Sequence, residues 1–190
     1  MSLIGRKAPE WSGTAYLRGE QKVIGSADYQ GRWHVLFWYP LDFTFVCPTE
    51  LLGFQRLLGD FKDESVELIG ASTDSFFSHQ AWFADRKIFP QELTYPVVAD
   101  TNHSLSRAFD VLEEEQGVAL RATTVIDDRG VVRSLSINDL SVGRSPAEVL
   151  RTVQALRSGG LCGADWKKSD PFVGRRAIAA NEAAGPRAKG

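Results

Sequence analysis

Residues 33 to 39, WHVLFWY, constrain the fold more than any other stretch of this chain. The run is nearly continuous in aromatic and β-branched residues, so no face is left for water. Such a segment suits a strand buried on both faces. A strand of that kind needs neighbouring strands beside it and helices above and below it.

The rest of the sequence supplies those neighbours. From Pro48 the chain reads PTELLGFQRLLGDF, with Leu51, Phe54, Leu58 and Phe61 at helical spacing. Val66 to Thr73 (VELIGAST) reads as a second strand, and Phe76 to Arg86 as a helix. Pro96 to Ala99 is a short strand, followed by a helix from about Ser104 to Phe109. Thr123 to Asp127 and Val131 to Ile137 flank the turn Asp128-Arg129-Gly130 and predict a hairpin. Pro146 to Leu156 is a helix with Ser145 as its N-cap and Glu148 three residues on. Strand, helix, strand, helix, hairpin and helix in that order predict an α/β fold with a mixed central sheet flanked by helices. After Ser158 the pattern changes to a Gly-rich segment with no clear period. We therefore expect a domain over residues 1–158 and a C-terminal arm over 159–190, its end, AIAANEAAGPRAKG, fraying.

Charge narrows the function. The chain has 190 residues and a formal net charge of −2, which gives no electrostatic reason to expect nucleic acid or an anionic membrane as partner. There is no long apolar span and no signal-peptide pattern at the start, so a cytoplasmic location is expected. There are two cysteines, Cys47 and Cys162. In a reducing compartment a bridge between them would be transient and catalytic. Neither has a second Cys or a His at metal-site spacing, and His34, His79 and His103 are scattered, so no metal is expected.

Cys47 lies in FWYPLDFTFVCPTE, residues 37 to 50. If a helix begins at Pro48, Cys47 is its N-cap, where unpaired amides and the helix dipole favour a thiolate over a thiol. Glu50 then falls at the capping-box position. Its carboxylate opposes thiolate formation, so a cation must come from elsewhere in the fold. An inert, buried thiol is the commoner fate of a cysteine. Against that, Pro40, Thr44, Cys47 and Pro48 form a set of polar and backbone-shaping residues poorly suited to filling a core.

The segment PLDFTFVCPTE resembles the active site of the peroxiredoxins, in the alkyl hydroperoxide reductase C branch of typical two-cysteine enzymes. IGRKAP at 4–9, SVGR at 141–144 and the LC-to-DWKKSDP region at 161–171 resemble the same branch in the same order. The resemblance implies a thioredoxin-like fold and a thiol-dependent peroxidase. By it, Cys47 is the peroxidatic cysteine, Thr44 holds the peroxide oxygen, Pro40 shields the site, and Arg121 in LRATTVID is the missing cation. Glu50 and Arg144 orient Arg121, and Cys162 is the resolving cysteine on the arm of a second subunit. It further implies hydroperoxide substrates, a thioredoxin-like, flavoprotein or other dithiol reductase, and a homodimer assembling into a decameric ring. No metal, haem or flavin is implied.

Taken singly, Thr44 reads as a strand-end hydroxyl and Arg121 or Arg144 as a surface charge. Trp38 and Trp82 read as core or interface, and Lys167, Lys168, Arg175 and Arg176 as a solvated face. Three other readings compete. A thioredoxin-type disulfide oxidoreductase needs a second cysteine where Thr44 stands. A ring-forming chaperone role would add to peroxidase activity. A one-cysteine enzyme, with Cys162 incidental, draws on Gly163 standing where many relatives have proline. No Gly-Gly-Leu-Gly segment lies between Phe89 and Asp100, and the tail has no Tyr-Phe pair, which predicts resistance to over-oxidation.

Overall fold

A computed structural model describes residues 2–173. Contacts group the chain into two compact units, one through Pro146 and one from Ala147. Arg175, Arg176 and the terminal segment expected to fray lie outside the described residues, as does the tail without a Tyr-Phe pair.

The first unit is built on a seven-stranded sheet of order β2-β1-β5-β4-β3-β8-β9. Its strands are β1 (Ser12–Leu17), β2 (Glu20–Gly25), β3 (Trp33–Trp38), β4 (Val66–Ser72), β5 (Val97–Ala99), β8 (Arg121–Ile126) and β9 (Val132–Asn138). β3, β4 and β5 run parallel, and the remaining pairings are antiparallel, so the sheet is mixed. Two-residue strands β6 (Leu112–Glu113) and β7 (Val118–Ala119) form a separate small hairpin. The helices are α1 (Cys47–Arg56), α2 (Leu58–Asp63), α3 (Phe76–Phe83) and α4 (Ser104–Ala108), with α5 (Pro146–Ser158) leading into the second unit. α2 packs on β4, and α3 packs on β1 and β5.

β3 is the strand that the sequence marked, and it is buried on both faces. Phe37 stacks on Phe54 of α1 with ring centroids 4.0 Å apart, while the next residue, Trp38, meets Phe109 at 5.0 Å from the other side. Each such ring contributes a few kcal/mol, since emptying one core aromatic site costs ~3–5 kcal/mol.

Several expected boundaries shift. The helix predicted through Phe61 breaks at Leu57 into α1 and α2, and α3 stops at Phe83. The β1–β2 hairpin was not foreseen. Its two-residue turn, Arg18 and Gly19, has φ of 51° and 81°, the left-handed pair that matches strand twist. The predicted β8–β9 turn is present, with the Asp127 carboxylate accepting the N–H groups of Arg129 and Val131 at 2.9 Å each.

In the second unit the segment after α5 is not featureless. Trp166 is buried, stacks on Phe172 at 5.8 Å and donates its ring N–H to the Asp170 carbonyl at 3.1 Å.

Candidate active site

Antiparallel pairing assembles the site. β3 and β8 pair with Phe37 opposite Thr123, so the start of β8 lies beside the end of β3. The chain leaving β3 passes Pro40, which is buried, and reaches Cys47 nine residues after Trp38, while Arg121 opens β8. Both therefore lie at one end of the sheet. Such carboxyl ends of parallel strands are where open α/β sheets bind ligands.

Cys47 is the first residue of α1, not its N-cap; Val46 takes that position with helical φ and ψ, and Pro48 follows inside the first turn. The sulfur still sits at the positive end of a ten-residue helix. The shift of one residue moves Glu50 out of capping-box register. Its carboxylate does not turn back to the helix-start amides but reaches across to two arginines. Glu50 Oε2 accepts from Arg121 Nη1 at 2.6 Å. Glu50 Oε1 accepts from the Arg144 backbone N–H at 2.7 Å and from its Nε at 2.8 Å.

Arg121 Nη1 also donates to Cys47 Sγ at 3.4 Å, and Arg121 Nε donates to the Leu140 carbonyl at 2.6 Å. Arg144 Nη1 donates to the carbonyls of Trp38 and of Ala122, the latter at 2.6 Å, and its guanidinium lies 5.5 Å from the Phe37 ring centroid. Burial pushes the Arg144 guanidinium below its ordinary value, and the Glu50 carboxylate beside it acts in the opposite direction. Gly143 lets the SVGR segment come this close, since a Cβ there would stand 3.2 Å from Val46 Cγ1. The two arginines and one carboxylate leave one positive charge before the sulfur ionises and none after. All of these groups are buried, which strengthens each interaction.

Thr44 is placed differently. Its hydroxyl donates to the Leu41 carbonyl at 2.9 Å, and no hydrogen bond joins it to Cys47. Cys162 belongs to the second unit, where its sulfur lies 3.3 Å from Ser158 Oγ. Trp38 and Trp82 are fully buried core residues.

Sequence reasoning missed a polar cluster under the loop that carries Thr44. Asp42 accepts from Tyr39 OH at 2.8 Å, lies 2.8 Å from His79 Nδ1, and gives its own backbone N–H to Asp74 at 2.7 Å. Burial pushes the Tyr39 hydroxyl well above its ordinary value, and burial and then Asp42 raise Asp74. The available signal was an acid between Pro40 and Thr44 with a histidine inside the apolar helix α3. A cavity of about 730 Å³ lined by Trp11, Tyr29 and His34 lies at the far end of β3, and neither cysteine lines it.

Comparison with known proteins identifies the family. Residues 4–135 match the model of the AhpC/TSA family. Peroxiredoxin-2 of Rattus norvegicus is 45% identical over 178 residues, covering 90% of this chain and 89% of that protein. A thioredoxin peroxidase of Echinococcus granulosus is 42% identical over 172 residues, covering 87% and 89%. The reduced 2-Cys peroxiredoxin of Plasmodium vivax superposes with a TM-score of 0.86 at 32% identity, covering 90% of this chain and 93% of that one. A cysteine at a helix start, a buried arginine donating to its sulfur, and relatives along most of its length leave one conclusion: the chain belongs to the AhpC/TSA family and is a peroxiredoxin, a thiol-dependent peroxidase.

Proposed function

We propose that this peroxidase reduces hydrogen peroxide and organic hydroperoxides by a two-cysteine cycle running between subunits. The observation that carries the proposal is the 3.4 Å donation from Arg121 to Cys47 Sγ at the start of α1. The thiolate attacks the terminal peroxide oxygen and the O–O bond breaks. Cys47 becomes a sulfenic acid, and the departing alkoxide or hydroxide takes up a proton to leave as alcohol or water. Arg121 stabilises the charge moving onto that oxygen, and Glu50 and Arg144 hold its guanidinium in place. Thr44, with its proton on Leu41, has lone pairs free to accept the peroxide O–H. Pro40 keeps water from the base of the loop.

Cys162 of a second subunit then condenses with the sulfenic acid, and a dithiol reductant, thioredoxin-like, flavoprotein or other, reduces the disulfide by exchange. For the sulfurs to bond at ~2 Å the start of α1 unwinds. β9 supports an antiparallel homodimer, because it closes one edge of the sheet with no strand beyond it among the described residues and exposes Ile137 by 42%. Phe43, Phe45 and Phe77, exposed by 62%, 95% and 73%, support further assembly of dimers into a decameric ring. Two free cysteines suit a cytoplasmic location.

The test is a non-reducing gel. Peroxide should convert the wild-type protein to a covalent dimer, and mixing Cys47→Ser with Cys162→Ser should give one disulfide per heterodimer. Cys162→Ser alone should react once and leave a sulfenic acid that a dimedone probe labels. An oxidised wild-type protein that runs as a monomer overturns the intersubunit step and favours a one-cysteine cycle.

A further inference from the structure

The three polar atoms in hydrogen-bonding contact with the Cys162 sulfur are oxygens, and one side chain organises them. Ser158, the last residue of α5, donates its hydroxyl proton to the Ala155 carbonyl at 2.7 Å. With that proton committed, its lone pairs accept the Gly160 N–H at 3.2 Å and face Cys162 Sγ at 3.3 Å. The carbonyls of Ala155 and Gly160 lie 3.6 Å and 3.9 Å from the same sulfur. Such a shell accepts an S–H proton and repels a bare thiolate. Arg151, within electrostatic range of the sulfur, is bound to Glu148 by two 2.7 Å hydrogen bonds and gives its third to the Trp166 carbonyl at 3.2 Å.

We propose that Ser158 is a positioning residue for Cys162, a latch that holds the resolving sulfur as a thiol donor on the end of α5 until the arm releases it. The inference rests on the reading of Cys162 as the resolving cysteine. The step that follows release is Cys47–S–O–H plus H–S–Cys162 giving the disulfide and water. The S–O bond breaks as the S–S bond forms; the Cys47 sulfur is reduced, the Cys162 sulfur is oxidised, and the thiol proton leaves with the hydroxyl. Before it, the thiol must give up its oxygens. Folding of the arm holds the latch closed. The Val173 N–H donates to the Leu161 carbonyl at 2.8 Å, and the Phe172 ring lies so near Gly160 that a Cβ there would meet it at 2.2 Å.

Ser158→Ala and Ser158→Thr test this directly. In a Cys47→Ser background, iodoacetamide should alkylate Cys162 about 5-fold faster in Ser158→Ala, the order of effect expected for one lost neutral hydrogen bond. In the two-cysteine protein given one equivalent of peroxide, disulfide formation should accelerate by the same factor, while sulfenic acid formation at Cys47 keeps its rate. Ser158→Thr, which restores the hydroxyl, should return both rates to wild type; a loosened helix end alone would not recover in this way. Alkylation that ignores Ser158→Ala, or a Thr variant that behaves like Ala, overturns the latch. A wild-type protein that forms no covalent dimer overturns the resolving role whatever residue stands at 158, and the alkylation rates still report on the latch.

Discussion

Two identical thiols in this chain occupy opposite ends of two helices. Cys47 opens α1, where the unpaired amides point and an arginine donates to the sulfur. Cys162 lies past the close of α5, among a carbonyl from the last turn, a hydroxyl and a second carbonyl. The positive end of a helix stabilises sulfur as an anion, whereas its negative end suits a proton donor. The roles proposed for them need those two states, a nucleophile for peroxide and a proton-bearing partner for the sulfenic acid. Reactivity is thus written into the surroundings and not into the residue.

The contrast breaks most readily at its supports. Glu50→Ala removes the carboxylate shared by Arg121 and Arg144, leaving two buried cations facing each other. Removing one partner of a buried pair costs ~3–5 kcal/mol, so urea unfolding should show a loss of that order. A variant within about 1 kcal/mol of wild type would mean that Glu50 does not hold the arginines together.

Next in size is Arg121→Ala, which removes the donor to Cys47. Loss of one preorganised donor to developing charge lowers turnover by ~100-fold or more. Stopped-flow peroxide consumption should show this in kcat/KM, with the Cys162 alkylation rate unmoved. A fall of only a few-fold would leave the helix start alone as the source of activation.

The smallest effect probes the far end of β3. Burial pushes the His34 imidazole below its ordinary value. The unfolded chain therefore binds the proton more readily, and stability present above about pH 6.5 is lost as pH falls from there through the lower native-state value. His34→Gln should flatten this part of the curve of urea midpoint against pH and leave the peroxide rate constant unchanged, because His34 sits at the opposite end of the strand from Cys47. An unaltered stability curve would show that His34 does not contribute.

How much of this could be read beforehand depends on how local the signal was. β3 announced itself because burial on both faces demands an unbroken apolar run. Cys47, Pro48 and Thr44 fall in one short segment. Arg121 and Arg144 lie 74 and 97 positions from Cys47, and no pattern of charges picks them out; only the resemblance drew attention to them. The capping-box register failed by one residue because Val46 adopts helical angles and the Glu50 side chain finds stronger partners across the fold. The β1–β2 hairpin was missed because β2, EQKVIG, is an exposed edge whose charges hide its strand character. The contacts of Ser158 were illegible for another reason: a serine near a helix end is common, and two of its three partners, Gly160 and Cys162, depend on how the arm folds.

Cys47 has no solvent-accessible surface at all. While α1 stays wound, the sulfur that Arg121 donates to is also the one that a large reagent cannot touch. Admitting hydrogen peroxide, two oxygens wide, needs a far smaller opening than admitting a bulky fluorescent maleimide, so the maleimide should mark Cys162 first while peroxide should oxidise Cys47 first. The wound helix start would therefore sort its visitors by girth before any charge is felt, and the order of labelling reads out how far the helix has opened.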